Sequence, residues 1–447
     1  MENYYQGCNT KLLARIPECR KVLELGCAAG LLGWHYKQEF PNAEWHGVDL
    51  FEEALAAAAT RLDSTHLIHL DRQPLTSVGS GFDCVVLGDV LEHLVDPSRV
   101  LAQLYAITTE DAKIICCVPN MGHASVIERL ISGDMSYDEN GLLDKTHLRF
   151  FTKSSLVKLF LDSGWSPNVA DRYIAPSGNT AFVQHIVEAA VALRLPQDMA
   201  LENFSAYQYI FDCKKIHRIP RSDLPPISVI VALNDDRQLE QNILKSPGLK
   251  EINAEIILCR GAKSAADAFE LGKEKASREW LMYCHQDVYF PSGFGARLQG
   301  AMNGMDTERK RKSVIGFAGL SMDEFGKTAH SGSVIDRGQR FDYPASERVV
   351  SLDELAIVMH KSCARQIDPE LGWHLWATDL CLQGANDPEG VCYSQTVSEP
   401  IFHNSYSSYT LPEAYYKSAK ILSKKYPDMA MIPTLCADIA NHTMRPG

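Results

Sequence analysis

Val22-Leu23-Glu24-Leu25-Gly26-Cys27-Ala28-Ala29-Gly30 is a short apolar strand that runs into a glycine turn and opens onto a helical pattern, AAGLLGWHYKQEF. Glycine serves where backbone must approach a ligand closely or adopt φ values that a Cβ disfavours. Nineteen residues past Gly30, at the end of a second strand, HGVDL carries Asp49, whose carboxylate suits the two hydroxyls of a ribose. A nicotinamide turn reads GxGxxG, whereas this one reads ExGxxxG. The pattern therefore predicts an adenosyl ligand and favours S-adenosylmethionine (SAM) over NAD.

Outward from this turn, Lys21 to Asn120 alternates short apolar runs with helical patterns, the signature of βαβ units on a parallel sheet. SAYQYIFDCKKI, around residues 205–216, reads as a late strand closing the same sheet. HRIPRSDLPP, residues 217–226, has three prolines and clustered charge and reads as a linker. A second βα series opens at once with ISVIVALND, EIILCRG and EWLMYCHQDVYF. The expected division is a first domain over 1–216, a linker over 217–226 and a second domain over 227–447.

Composition narrows the function classes. With 45% hydrophobic and 22% charged residues, the chain is too apolar for wholesale disorder. A formal charge of -12 gives no general attraction to nucleic acid or anionic lipid, so an anionic ligand must be captured locally. Thirteen cysteines, many inside apolar runs such as Ile114-Ile115-Cys116-Cys117-Val118, read as buried reduced thiols. The start, MENYYQGCNTK, lacks a basic and apolar leader, and no run of 18 apolar residues occurs. A cytoplasmic protein without an integral membrane segment is the expectation. TAFVQHIVEAAVALRL, between residues 179 and 195, reads as an amphipathic packing helix, because Gln184, His185 and Glu188 interrupt it.

The glycine turn and Asp49, with Asp71 in HLDRQPL, Gly88-Asp89-Val90-Leu91-Glu92-His93 and Val118-Pro119-Asn120, resemble the class I SAM-dependent methyltransferases. The resemblance implies a Rossmann-like doubly wound domain. Glu24, Gly26, Cys27 and Gly30 would then cradle the methionine end, and Asp49 and Leu50 the ribose. Asp71 would lie beside the adenine, with Gly88 and Asp89 completing the pocket wall. Ala28 departs from the commoner glycine. Beyond this half, Gly141-Leu142-Leu143-Asp144-Lys145-Thr146-His147-Leu148-Arg149-Phe150-Phe151-Thr152 looks like a subgroup encoded beside or fused to bacterial glycosyltransferases, which implies a sugar hydroxyl as methyl acceptor. Methyl transfer to a hydroxyl needs alignment and a base, and His147 has the suitable chemistry. His123 and Asp144 are candidates to share that role, with Asn120 and Arg149 contacting the acceptor. A structural corner, with His147 bonded to backbone and Arg149 paired with a carboxylate, is the alternative. Glu92-His93 resembles a metal pair, but adjacent side chains diverge and no third ligand follows at useful spacing, so it reads as pocket wall.

In the second half, Asp287 follows the apolar run WLMYC, where a divalent cation on a diphosphate would be held. His285-Gln286-Asp287 resembles family-two-like glycosyltransferases of the GT-A α/β fold, in a bacterial branch carrying HQD. The resemblance implies a Mn or Mg site at Asp287, with His285 and His403 as further ligands. It also implies an inverting catalytic base at Asp379 in GWHLWATDLCL, with Trp376 among the sugar-stacking tryptophans. Cys259-Arg260-Gly261 and Glu270 depart from that family's pattern, so a GT-A scaffold that only binds glycan or docks remains the alternative. Lys417, Lys420, Lys424 and Lys425 read as a solvated basic face, with contact at the inner membrane face as the other reading. The whole predicts a bifunctional enzyme of surface-glycan assembly. It would use SAM, a nucleotide-sugar donor and a glycan or lipid-linked acceptor, with no nucleic-acid partner.

Overall fold

A computed structural model describes residues 8–175, 178–217, 225–303, 305–385, 393–406 and 410–440. The chain divides into two units, residues 1–217 and 218–447. Most of the expected linker, 218–224, lies outside the described residues.

The first unit is built on strands β1 (Lys21–Leu25), β2 (Glu44–Asp49), β3 (Ser64–Leu67), β4 (Phe82–Gly88), β5 (Thr108–Pro119), β6 (Trp165–Ile174) and β7 (Ala206–Lys215). They form one sheet in the order β3-β2-β1-β4-β5-β7-β6. The first five pair in parallel, and β7 inserts antiparallel between β5 and β6. Val22, Leu23, Leu25, Val85, Val86, Ile114 and Cys116 are buried. Such uninterrupted apolar strands belong at the centre of a sheet covered on both faces. The order reverses between β1 and β4, and that switch point is where open α/β sheets bind ligands.

The second unit carries β8 (Ile227–Leu233), β9 (Glu255–Arg260), β10 (Trp280–His285), β11 (Val288–Tyr289), β12 (Ser313–Gly316), β13 (Ala318–Met322), β14 (Thr328–Asp336), β15 (Gln339–Tyr343), β16 (Val349–Leu352), β17 (Ala356–His360), β18 (Tyr393–Thr396) and β19 (Ile401–His403). A mixed sheet runs β18-β12-β17-β10-β8-β9, and a second runs β11-β19-β14-β13-β16 with β15 on β14. Parallel β8, β9 and β10 end together, and β11 pairs with β19 just beyond β10. This pairing sets Val288 opposite His403 and so brings the late histidine beside the end of the HQD segment.

Candidate functional sites

In the first unit, Gly26 and Gly30 take φ of 71° and 73°, and a Cβ on Gly26 would lie 2.8 Å from Val90 Cγ2. The turn thus needs glycine for both backbone and space. Gly30 also precedes the helix Leu31–Glu39, whose amide end faces the turn. Asp49 closes the turn from β2: Oδ2 accepts the Ala28 amide at 2.8 Å, and Oδ1 accepts those of Leu50 and Phe51 at 2.7 and 3.0 Å. Oδ2, with one amide bound, retains lone-pair capacity for a further donor. Leu50, next in the chain, is 53% exposed.

Glu24 is buried and accepts the Trp45 indole N–H at 2.9 Å. Burial pushes its carboxyl up to about 8, and Asp49 adds to the effect. Cys27 is buried, and burial raises its thiol. Asp71 Oδ1 accepts the Val95 and Asp96 amides at 2.9 and 3.3 Å, so it orders the loop after β4. Asp89 follows Gly88 with φ of 55° and accepts from the Gln208 amide at 2.6 Å. Burial raises it to about 6.

Several acceptor-site expectations require correction. Asn120 is 2% exposed: Nδ2 donates to the Asn203 and Ala206 carbonyls, and Oδ1 accepts the Gly122 amide. His123, equally buried, caps the helix Ala124–Ile131 through Nδ1 and bonds the Ala175 carbonyl through Nε2. Both are structural, because every polar atom already has a backbone or neighbouring partner. Arg149 reaches the Val95 and Leu148 carbonyls rather than a carboxylate of the described residues. Asp144 accepts the amide and hydroxyl of Thr146.

His147 is buried, with Nδ1 3.1 Å from the Leu142 carbonyl. It lies beside Glu92 and His93, so the third member that the spacing seemed to deny the pair arrives from 54 residues downstream. Chain distance hid it.

In the second unit, ligand atoms of His285, Asp287 and His403 lie within 4.8 Å of one another. His403 sits between Asp287 (Nε2 to Oδ1, 3.5 Å) and Asp336 (Nδ1 to Oδ1, 3.0 Å). Burial opposes its charge, yet the two carboxylates hold its pKa well above the ordinary value. Asp287, despite burial, is held down to about 2 by His403 and His285. Asp287 Oδ1 is buried without a hydrogen-bond partner. Asp336 was not foreseen, because nothing in its own segment marks it.

Two pockets flank this cluster. One, of about 480 Å³, lies at the carboxyl ends of β8, β9 and β10 and is lined by Asn234, Gly261, His285, Asp287 and Trp373. The other, of about 380 Å³, is lined by Ser351, Asp353, Thr378 and His403. Glu354 and His374 line both.

Asp379 lines neither. It is fully buried, with its carboxylate accepting from Gln383 Nε2 (2.7 Å), Lys425 Nζ (2.9 Å) and Tyr426 OH (2.8 Å). An aspartate clamped by three donors is an anchor rather than an exposed base. Trp376 is also fully buried, edge-on to Tyr283, whereas Trp373 is 39% exposed and faces the larger pocket. Lys425 is correspondingly no free basic face, since it bridges Asp368 and Asp379.

Glu354, which the sequence reading missed, is a carboxylate that lines both pockets. The Leu375 and Ala377 amides donate to it at the start of the helix Trp376–Ala385, while Oε1 is buried without a partner. Burial, with Asp353 adding, pushes its pKa up to about 8. Its only sequence signal was an acidic pair, Asp353-Glu354, between two strands.

The strand order and switch-point turn of the first unit define a Rossmann-like domain, and a family model described as a methyltransferase domain matches residues 2–169. The N-terminal half therefore carries a class I methyltransferase domain. Among curated relatives, the chain is similar to a malonyl-[acyl-carrier protein] O-methyltransferase of Alcanivorax borkumensis, 28% identical over 127 residues, 26% of this chain and 42% of the relative. The match thus spans under half of that relative's length. A demethylmenaquinone methyltransferase of Halalkalibacterium halodurans is 24% identical over 192 residues, 38% of this chain and 76% of the relative. Among solved structures, a SAM-dependent methyltransferase of Archaeoglobus fulgidus aligns with 19% identity and a TM-score of 0.32, covering 48% of this chain and 97% of that one. No helix among the described residues is long and apolar enough to cross a membrane.

Proposed function

We propose that the chain is a bifunctional enzyme of glycan assembly: the first unit methylates a sugar hydroxyl with SAM, and the second transfers a sugar from a nucleotide-sugar donor with inversion. For the first unit, the methyltransferase-domain match joins the glycine turn, Asp49 and the dipole end of the helix Leu31–Glu39 at the switch point. In this reading Gly26 and Gly30 let backbone approach the methionine end, and Asp49 takes the ribose hydroxyls.

For the second unit, the observation that carries the reading is the convergence of His285, Asp287 and His403 at the carboxyl ends of three parallel strands, between two pockets. The GT-A assignment rests on this arrangement and on the HQD resemblance. The donor set fits a divalent cation. Asp287 offers a buried oxygen that has no hydrogen-bond partner and faces His403 Nε2 at 3.5 Å, and the His403 Nδ1 contact with Asp336 aims Nε2 at the cluster. Asp287 and His285 would hold the cation, with His403 giving up its proton to join them. When bound, the cation would neutralise a leaving diphosphate. Glu354, at the junction of the pockets and with a raised pKa, takes the base role expected of Asp379. Trp373 offers its face to a sugar ring.

A donor screen by thermal shift with Mn²⁺ tests the second activity, since a bound nucleotide sugar raises Tm with occupancy. A hit lost in Asp287→Ala, and turnover lost in Glu354→Gln with donor binding kept, is the expected result. No shift with any nucleotide sugar and an unchanged Asp287→Ala profile would reduce the second unit to a docking or glycan-binding module. SAM binding by calorimetry tests the first activity, and NAD binding in its place would refute it.

A further inference from the structure

We propose that Glu92, His93 and His147 form a divalent transition-metal site in the methyltransferase domain, with its open positions facing the methyl acceptor. Their ligand atoms lie within 4.8 Å of one another. Both Glu92 oxygens are buried without a hydrogen-bond partner, and the residue is only 1% exposed. A buried carboxylate left bare is costly unless a cation completes it.

The two imidazoles are set for ligation. His147 Nδ1 lies 3.1 Å from the Leu142 carbonyl, and His93 Nδ1 lies 3.2 Å from the Thr146 carbonyl and 3.1 Å from the Thr146 hydroxyl. A backbone carbonyl accepting from Nδ1–H fixes the tautomer in which Nε2 carries the lone pair, the arrangement common behind metal-bound histidines. Asp144 orders that support by accepting the Thr146 amide and hydroxyl. The two chain segments are clamped together, because the Glu92 carbonyl accepts the Leu148 and Arg149 amides at 2.8 and 2.9 Å. His147 is therefore held beside Glu92 by backbone, whatever the side chains do. Burial also favours neutral forms, raising Glu92 well above its usual range and lowering His93. A cation that supplies positive charge reverses this for Glu92.

Two imidazoles and one carboxylate suit Zn²⁺, Co²⁺ or Mn²⁺ with positions left for water or substrate oxygen. The cluster begins two residues past Val90, the residue packed against Gly26, so it adjoins the glycine turn. The occupant of the open position rests on the methyl-transfer reading; the cation does not. In that reading a hydroxyl on the cation becomes acidic and loses its proton to solvent. Its oxygen bonds the methyl carbon as the methyl–sulfur bond breaks, and that electron pair stays on the sulfur of S-adenosylhomocysteine. His147 then acts as a ligand, with its Nε2 lone pair on the cation rather than accepting the proton.

The test uses the full chain carrying Asp287→Asn and His403→Gln, which silences the other cluster, titrated with Co²⁺ alone. Expected are one bound equivalent and visible d–d absorption, both lost in Glu92→Gln and in His147→Gln with circular dichroism unchanged. Unaltered Co²⁺ stoichiometry and spectrum in both variants, or no binding to the parent, overturns the site. SAM affinity is measured in parallel without metal. Retained SAM binding with no Co²⁺ binding refutes the metal alone, whereas bound Co²⁺ with no SAM binding refutes the methyl-transfer reading alone. If a variant unfolds, Thr146→Val, which removes the hydroxyl behind His93 and keeps all three ligands, supplies the second readout: Co²⁺ affinity falls several-fold if the site exists and stays unchanged if it does not.

Discussion

Replacing Asp379 by asparagine separates an anchor from a catalytic base. The carboxylate is fully buried and accepts from Gln383, Lys425 and Tyr426 at 2.7–2.9 Å, so it ties the helix Trp376–Ala385 to the last turn of Glu413–Lys425. Hydrogen bonds to a charged group contribute about 1.5–3 kcal/mol each, and an amide can satisfy only part of this donor set. Lys425 is 34% exposed and keeps Asp368, so its ion pair with Asp379 is discounted to about 1 kcal/mol. The expected loss for Asp379→Asn is roughly 3 kcal/mol, or about 6–12 °C in Tm for a unit of this size. Lys425→Met alone should also destabilise, by leaving a buried charge short of its partner. The double variant should lose less than the sum, with a coupling of about 1 kcal/mol. Calorimetric melting and amide exchange across residues 413–426 read these effects. An Asp379→Asn protein that melts with the parent but loses sugar transfer a hundredfold would refute the anchor and restore the base.

Three further outcomes follow from the geometry. Gly26→Ala places a Cβ at positive φ against Val90, at roughly 1–2 kcal/mol, and should weaken SAM binding in calorimetry; parental affinity would contradict the close-approach turn. Glu24 has a folded pKa raised to about 8, so the folded state holds the proton more tightly, and stability falls as pH rises from about 4.5 through 8. Glu24→Gln keeps an acceptor for Trp45 without the charge, so its Tm advantage should grow across that window, and parallel melting curves would count against the raised carboxyl. Trp376→Ala should cost about 3–5 kcal/mol by emptying the core beside Tyr283, whereas Trp373→Ala should leave Tm nearly unchanged and raise the KM for a sugar ligand. Equal Tm losses would remove the distinction between the two.

Much of the first unit was legible along the chain. Short apolar runs between helical patterns mark its strands, the glycine turn marks the switch point, and Asp49 is placed by its distance from Gly30, because βαβ units keep ligand groups at regular spacing. The HQD segment and His403 were likewise readable as separate signals at strand ends. What the chain order concealed was partnership. Asn120 and His123 have the chemistry of substrate contacts, but the sequence could not reveal that the Asn203, Ala206 and Ala175 carbonyls were waiting for them. Asp379 and Trp376 sit in a polar-looking, tryptophan-rich stretch, yet helix rotation turns both inward and leaves Trp373 and the distant Glu354 at the pockets.

The local code of turns and strands was thus determined by the residues alone, since φ preference and apolar periodicity act between near neighbours. Which polar groups meet, and which keep an open valence, was decided only by tertiary packing. The Glu92, His93 and His147 cluster arises because a backbone clamp at the Glu92 carbonyl holds Leu148, 56 residues on, near the end of β4, and no local rule carries information over that span.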